Sequence, residues 1–180
     1  MATGKVDIFL VGGGGRGGHG GWDSSGGGGG AGGYTATHKG IPIEEGVKYP
    51  IFIGASDSPS TGFGQTANGG KPGGNAAPGP KVGAGGDGGS GGGSNGPGGQ
   101  DGSNGSGAEG GKGQGTTTRE FGQPEGRIYA TGGKGYPKAN EHRDGPANSG
   151  DGGSGQYQPP EAGAGGSGIV IIRNARGVAQ

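Results

Sequence analysis

Residues 12–22 read GGGGRGGHGGW, and the three residues that are not glycine, Arg16, His19 and Trp22, stand three apart. That spacing fits neither the 3.6-residue turn of an α-helix nor the alternation of a β-strand. Polyproline II has three residues per turn and rises about 3.1 Å per residue. On such a rod Gly12, Gly15, Gly18 and Gly21 form one edge, and Gly14, Gly17 and Gly20 a second. Gly13, Arg16, His19 and Trp22 form the third, with side chains roughly 9 Å apart. Two edges are bare backbone.

The row recurs at Gly83, Gly86, Gly89 and Gly92, slips by one, and resumes at Gly96, Gly99, Gly102 and Gly105. A shorter version holds Gly150 with Gly153 and Gly152 with Gly155, while Gly26–Gly33 has too few markers to show a phase. An isolated rod makes no internal hydrogen bonds, so its N–H and C=O groups go to water or to neighbours. Bare edges let rods approach and bond to one another. Collagen needs an unbroken repeat, and here the phase breaks after about four triplets. GGQDGSNG lacks the aliphatic position of a calcium-binding β-roll repeat. With 59 glycines in 180 residues the competing expectation is disorder, because Gly/Ser tracts are flexible linkers, yet a linker has no reason to keep a period.

Apolar residues gather at the two ends of the chain. Lys5–Val11, Tyr34–Ile43 and Val47–Ile53 read as strands, the last two joined by Glu44-Glu45-Gly46. Pro42 and Pro50 favour edge positions. Arg127–Ala130 is a short candidate. Ile169–Arg173, with four apolar residues in a row, reads as a strand buried on both faces. Glycine and proline interrupt every window long enough for a helix. The expected fold is one glycine-rich domain over 1–180, mainly irregular and β, without α-helix. A small antiparallel β-layer, from strand-rich 1–63 and 168–180, carries a bundle of packed polyglycine II rods with displayed loops over 64–167.

Little in the chain points to catalysis. Fourteen Lys and Arg balance fourteen Asp and Glu, which argues against nucleic acid as a partner. There is no cysteine, and His19, His38 and His142 lie apart, so neither a metal nor another cofactor is expected. Gly111-Lys112 and Gly133-Lys134 are each followed by glycine, where a phosphate-binding loop needs Ser or Thr. Catalytic residues are accordingly none. The apolar run Val6–Val11 is too short for a signal-peptide core, and no run approaches membrane length. The aromatics Trp22, Tyr34 and Phe63, near the strands, read as caps on the bundle. Residues 114–149 read as loops displayed by a scaffold, where binding usually resides.

DIFLVGGGGRGG, then KYPIFIGASDSPSTGFGQTANGGKPGG and the closing GGSGIVIIR, resemble the glycine-rich domain of bacteriophage tail-fibre and related surface proteins. Ser56-Asp57 departs from it, since members often continue with glycine there. A more distant architectural similarity is to the polyglycine II tip adhesins of T-even-like phages. The resemblance implies a non-enzymatic virion surface protein, made in the host bacterial cytoplasm without a signal peptide and acting as a tail-fibre tip or receptor-binding adhesin. The alternative is a purely structural, self-assembling fibre, tail or coat subunit. The implied partners are a host-cell polysaccharide or outer-membrane protein, other virion subunits, or further copies of the chain, without membrane insertion. Phe121, Tyr129, Tyr136 and His142 are the receptor-contact candidates, with Arg16, His19, Trp22 and Tyr157 secondary.

Overall fold

The computed structural model describes residues 3–20, 27–76, 83–94, 96–98, 102–113, 127–135, 143–156 and 161–175. Among them there is no helix, only two small antiparallel sheets and long stretches without regular secondary structure. The first sheet has the order β2-β1-β6, from Thr35–Glu44, Thr3–Val11 and Ile169–Asn174. The second has the order β3-β4-β5, from Ile51–Phe52, Ser60–Gly62 and Gln65–Ala67.

β1 is the strand covered on both faces. Val6, Ile8 and Leu10 pack with Ala67 of β5 and with Phe63, Ile41, Ile43 and Val170. Phe9 and Val11 pack on the other side with Tyr129, Ala130, Ile169 and Ile171. Each such side chain stabilises the fold by about 1.5–3 kcal/mol. The IVII run lies instead on an edge strand, where Ile169, Val170 and Ile171 are half-buried and Ile172 is exposed. Its register beside β1, Val11 opposite Ile169 and Phe9 opposite Ile171, sends alternate residues to the two core clusters.

β2 and β3, the two strands joined through Glu44-Glu45-Gly46, do not pair with each other. β2 pairs with β1, which places Pro42 on an edge, whereas β3 pairs with β4. After β2 the chain turns at Gly46 (φ 81°), and the Glu44 N–H donates to the Tyr49 hydroxyl (3.0 Å). The Tyr49 ring stacks on Phe63 at 5.1 Å and draws the segment to the second sheet. Only Ile51–Phe52 of the 47–53 run is strand. β4 and β5 were not anticipated. Their two-residue turn, Phe63-Gly64, has positive φ at both positions (52° and 73°), the primed geometry that a tight hairpin needs.

β1, β2 and β6 continue directly into glycine segments, and the same three chains remain neighbours. The N–H groups of Gly12, Gly15 and Gly18 donate to the carbonyls of Tyr34, Ala31 and Gly28. Those of Gly14 and Gly17 donate to Gly166 and Gly163. The carbonyls of Gly13, Arg16 and His19 accept from Gly70, Gly73 and Ala76, and those of Gly15 and Gly18 from Gly153 and Gln156. Each partner returns every third residue. Residues 27–33 are buried throughout. They bond to segments 12–18, 71–74, 86–90, 150–156 and to Gly133. This stretch, GGGGAGG, is uninformative as sequence, yet it occupies the centre because it has no side chain that must reach water.

The longer rows are not straight. Gly92 donates back to Gly86, and Gly105 to Gly96, so each folds against itself. Where a rod neighbour is missing, side chains take its place. Asp57 accepts the Arg16 N–H (2.9 Å) and Asn75 the His19 N–H (3.0 Å). Ser56 Oγ donates to the Gly14 carbonyl and accepts the Gly165 N–H. Ser56-Asp57, the departure from glycine, thus caps the exposed edge of the first rod.

Asp7 is buried within β1. It accepts the Gly40 N–H (2.8 Å) and pairs with Arg173 Nε (3.1 Å). The Gly40 bond outweighs the cost of burial and, with Arg173, holds its carboxyl below the usual range. The stability it contributes is full at neutral pH and is lost as the pH falls through the ordinary carboxylate range towards the lowered folded-state value. Asp7→Asn should cost about 2 kcal/mol at neutral pH and flatten the acid limb of the stability profile, as read by urea denaturation across that range.

A Cβ at Gly15 or Gly18 would come closer than 3.0 Å to the backbone of Lys71 or Gly74. Either glycine changed to Val should cost several kcal/mol, comparable with a whole domain's stability of about 5–15 kcal/mol, and abolish cooperative melting. Arg16→Ala, on the exposed edge of the same rod, should change stability by about 0.5 kcal/mol or less. Calorimetry of the three variants checks both statements.

Candidate functional site

The rod bundle has two ends. At one, Gly12 bonds to Tyr34, Gly33 to Gly150 and Ala130 to Ser149, next to the first sheet. At the other, Gly18 bonds to Gly28, Gly28 to Gly74, Gly74 to Ala84, Gln156 to Gly18, Gly155 to Lys134 and Ser154 to Arg143. These bonds bring together the residues flanking four connections, 20–27, 76–83, 135–143 and 156–163. Three of the connections carry Trp22, Tyr136 with His142, and Tyr157. The connection bearing Phe121 instead joins Gly113 to Arg127. A Cβ on Gly113 would meet Ile128 and Tyr129, so the two residues that flank this connection lie beside Tyr129. Phe121, Tyr136, His142, Trp22 and Tyr157 themselves lie outside the described residues.

Tyr129 is described, and it faces inward. It is only 4% exposed and packs with Phe9, the ring centroids 5.6 Å apart. The Arg127 guanidinium covers its ring at 5.3 Å. A ring held this way closes the core where the rods meet the sheet and has no free face for an outside partner. No spacing in the sequence marked Tyr129 as different from Tyr136, because its burial depends on where 127–130 docks.

Arg16 and His19 are exposed on one edge of the first rod, as the period predicts. Arg16 Nε lies 3.9 Å from Asp57 Oδ2, an open ion pair that stabilises little. Phe63 is half-buried against the β1 cluster, in keeping with its reading as a cap.

Below the 135–143 connection lies a cleft of about 290 Å³, lined by Thr131–Lys134, Arg143–Pro146, Asp151, Gly152 and Ser154. Its walls are rods, so each position is held by backbone bonds. Gly152 donates to Thr131, Gly145 to Ala164, and Gly133 to Gly30. Asp151 accepts the Thr131 N–H (2.9 Å) and Asp144 the Ala164 N–H (2.8 Å). Burial pushes the Asp151 carboxyl up, against the opposing effect of its Thr131 and Ser149 hydrogen bonds. Lys134 Nζ pairs with Glu109 at 3.4 Å, with both side chains half or more exposed. Asp151, Gly152 and Ser154 lie outside the 114–149 stretch that reads as displayed loops and reach the cleft through backbone packing. Separately, Val47, Ile51, Phe52 (65% exposed) and Ile53, in and beside β3, are exposed. Among the described residues, no group of three His, Asp or Glu side chains converges to hold a metal.

The family model of the glycine-rich domain matches residues 1–175, and the chain belongs to that family. No curated protein and no solved structure matches it.

The packing of Tyr129 gives a direct expectation. Tyr129→Ala should destabilise the fold by about 3 kcal/mol, as removal of a buried aromatic does, and lower the melting temperature. A variant that melts like the parent would return Tyr129 to the surface.

Proposed function

We propose that this chain is a non-enzymatic phage virion surface protein, a tail-fibre tip or receptor-binding adhesin, whose polyglycine II scaffold displays recognition loops at one end. The observation that carries the reading is the convergence of the residues flanking four chain connections, at the end of the bundle away from the first sheet. The rods below them are cross-bonded on several sides. Loops anchored this way can vary in sequence without loss of the scaffold, and their ordering is partly prepaid before binding. Trp22, Tyr136, His142 and Tyr157 belong to these connections, and aromatic side chains are the usual anchors of recognition surfaces. The partner is a receptor on the bacterial cell surface, and the place of action is the virion.

The exposed apolar residues Val47, Ile51, Phe52 and Ile53 favour a second reading, a structural subunit that self-assembles into a fibre, tail or coat.

Fluorescently labelled protein incubated with bacterial cells separates the two. The adhesin binds cells as a monodisperse species. Alanine at both Tyr136 and His142 should weaken cell binding about tenfold or more with the melting temperature unchanged. Assembly into filaments without cell binding supports the structural subunit.

A further inference from the structure

We infer that the cleft between residues 131–134 and 143–154 is a subsite for an acidic sugar, holding one carboxylate-bearing ring of a surface polysaccharide. The inference rests on the adhesin reading and selects polysaccharide over protein as the receptor.

Size is the first ground. At about 290 Å³ the cleft sits at the small end of ligand-sized cavities, about 300–1,000 Å³. It is fit for a single ring rather than a peptide or helix. Shape is the second. Gly132, Gly133, Gly145 and Gly152 leave bare backbone in its wall, and Pro146 adds an apolar surface. A sugar ring presents C–H groups on its faces and hydroxyls around its rim, and such a wall accommodates both. Rigidity is the third. The lining residues are bonded into rods, so little order is lost on binding.

Charge selects the class. Lys134 and Arg143 both line the cleft. Lys134 already has Glu109 as a partner in the open. Arg143 bonds to Ser154 through its backbone N–H and carbonyl, and its guanidinium has no ion-pair partner among the described residues. A guanidinium binds a carboxylate through two parallel N–H···O bonds, a geometry that a neutral hexose cannot supply. Asp144 accepts the Ala164 N–H, and Asp151 is held by Thr131 and Ser149, so both carboxylates are fixed in the cleft. The carboxylates would repel a dianionic phosphate more than a single, delocalised carboxylate, so the balance of charge points to a hexuronate or a related sugar acid.

The test uses the isotopically labelled full chain, with amide spectra recorded during titration with galacturonate, glucuronate, N-acetylneuraminate and galactose. A single ring should bind with a dissociation constant of about 1–10 mM. It should shift the amides of Gly132, Gly133, Gly145 and Gly152, with at least one acid binding about tenfold more tightly than galactose. Arg143→Ala should remove that preference, about tenfold, with the amide spectrum away from the cleft unchanged. Absence of shifts at these glycines with all three acids at about 50 mM overturns the inference, as does an acid preference that survives Arg143→Ala. Cell binding measured in parallel separates this from the parent reading. Cells bound without sugar shifts leave the adhesin and sink the sugar subsite. Sugar shifts without cell binding leave the subsite and sink the adhesin.

Discussion

The structure depends on the closeness with which one backbone can approach another when the Cβ is missing. Every peptide unit in the glycine segments carries an N–H and a C=O that neither helix nor sheet uses, and burial without partners would cost about 1–3 kcal/mol per group. The segments answer this by serving one another. Around residues 27–33 the neighbours stand where side chains would otherwise be, and an added Cβ on Gly28, Gly30 or Gly33 would run into a carbonyl. Glycine loses the most chain entropy on ordering. What offsets that loss is a set of hydrogen bonds returning every third residue, shared among several neighbours.

Such a lattice needs a template to set its register, and the first sheet supplies it. β1 is the one element packed on both faces by large apolar side chains, and it runs without interruption into the first rod. The order β2-β1-β6 is carried into the rods as 27–34, 12–18 and 163–168. Hydrophobic burial thus fixes three chains side by side, and the rods extend that arrangement by hydrogen bonding alone. At the rim, polar side chains stand in for missing rods. Asp57, Asn75, Ser154 and Asp151 each accept a backbone N–H that faces no neighbouring chain.

The same construction separates stability from display. Tyr129, Phe9 and Val11 close the core where rods and sheet meet, at the end opposite the residues that flank the four connections. A scaffold whose strength lies in its backbone tolerates change in the residues between its rods, which is what a recognition surface under variation requires. The polar cleft beside Arg143 lies at the end away from the first sheet, with Lys134 and Gly155 bonded next to it.

The local sequence determined the elements whose cause is local. The period of three at 12–19 follows from where Arg16 and His19 can stand, and the strands at 3–11, 35–44 and 169–174 from runs of β-branched and aromatic residues. The absence of helix follows from glycine and proline. Tertiary structure alone decided the rest. Which apolar run is buried on both faces, KVDIFLV or IVII, depends on which strand has two neighbours in the sheet. Residues 47–50 are not strand, and there Tyr49 stacks on Phe63. The candidates Tyr129 and Tyr136 look alike in sequence, and only the docking of 127–130 on Phe9 buries the first. Asp151 and Ser154 join residues 131–134 and 143–146 in the cleft for the same reason. A glycine rod carries almost no side-chain information about its neighbours, so its partners are chosen by the packing of the whole bundle and not by its own residues.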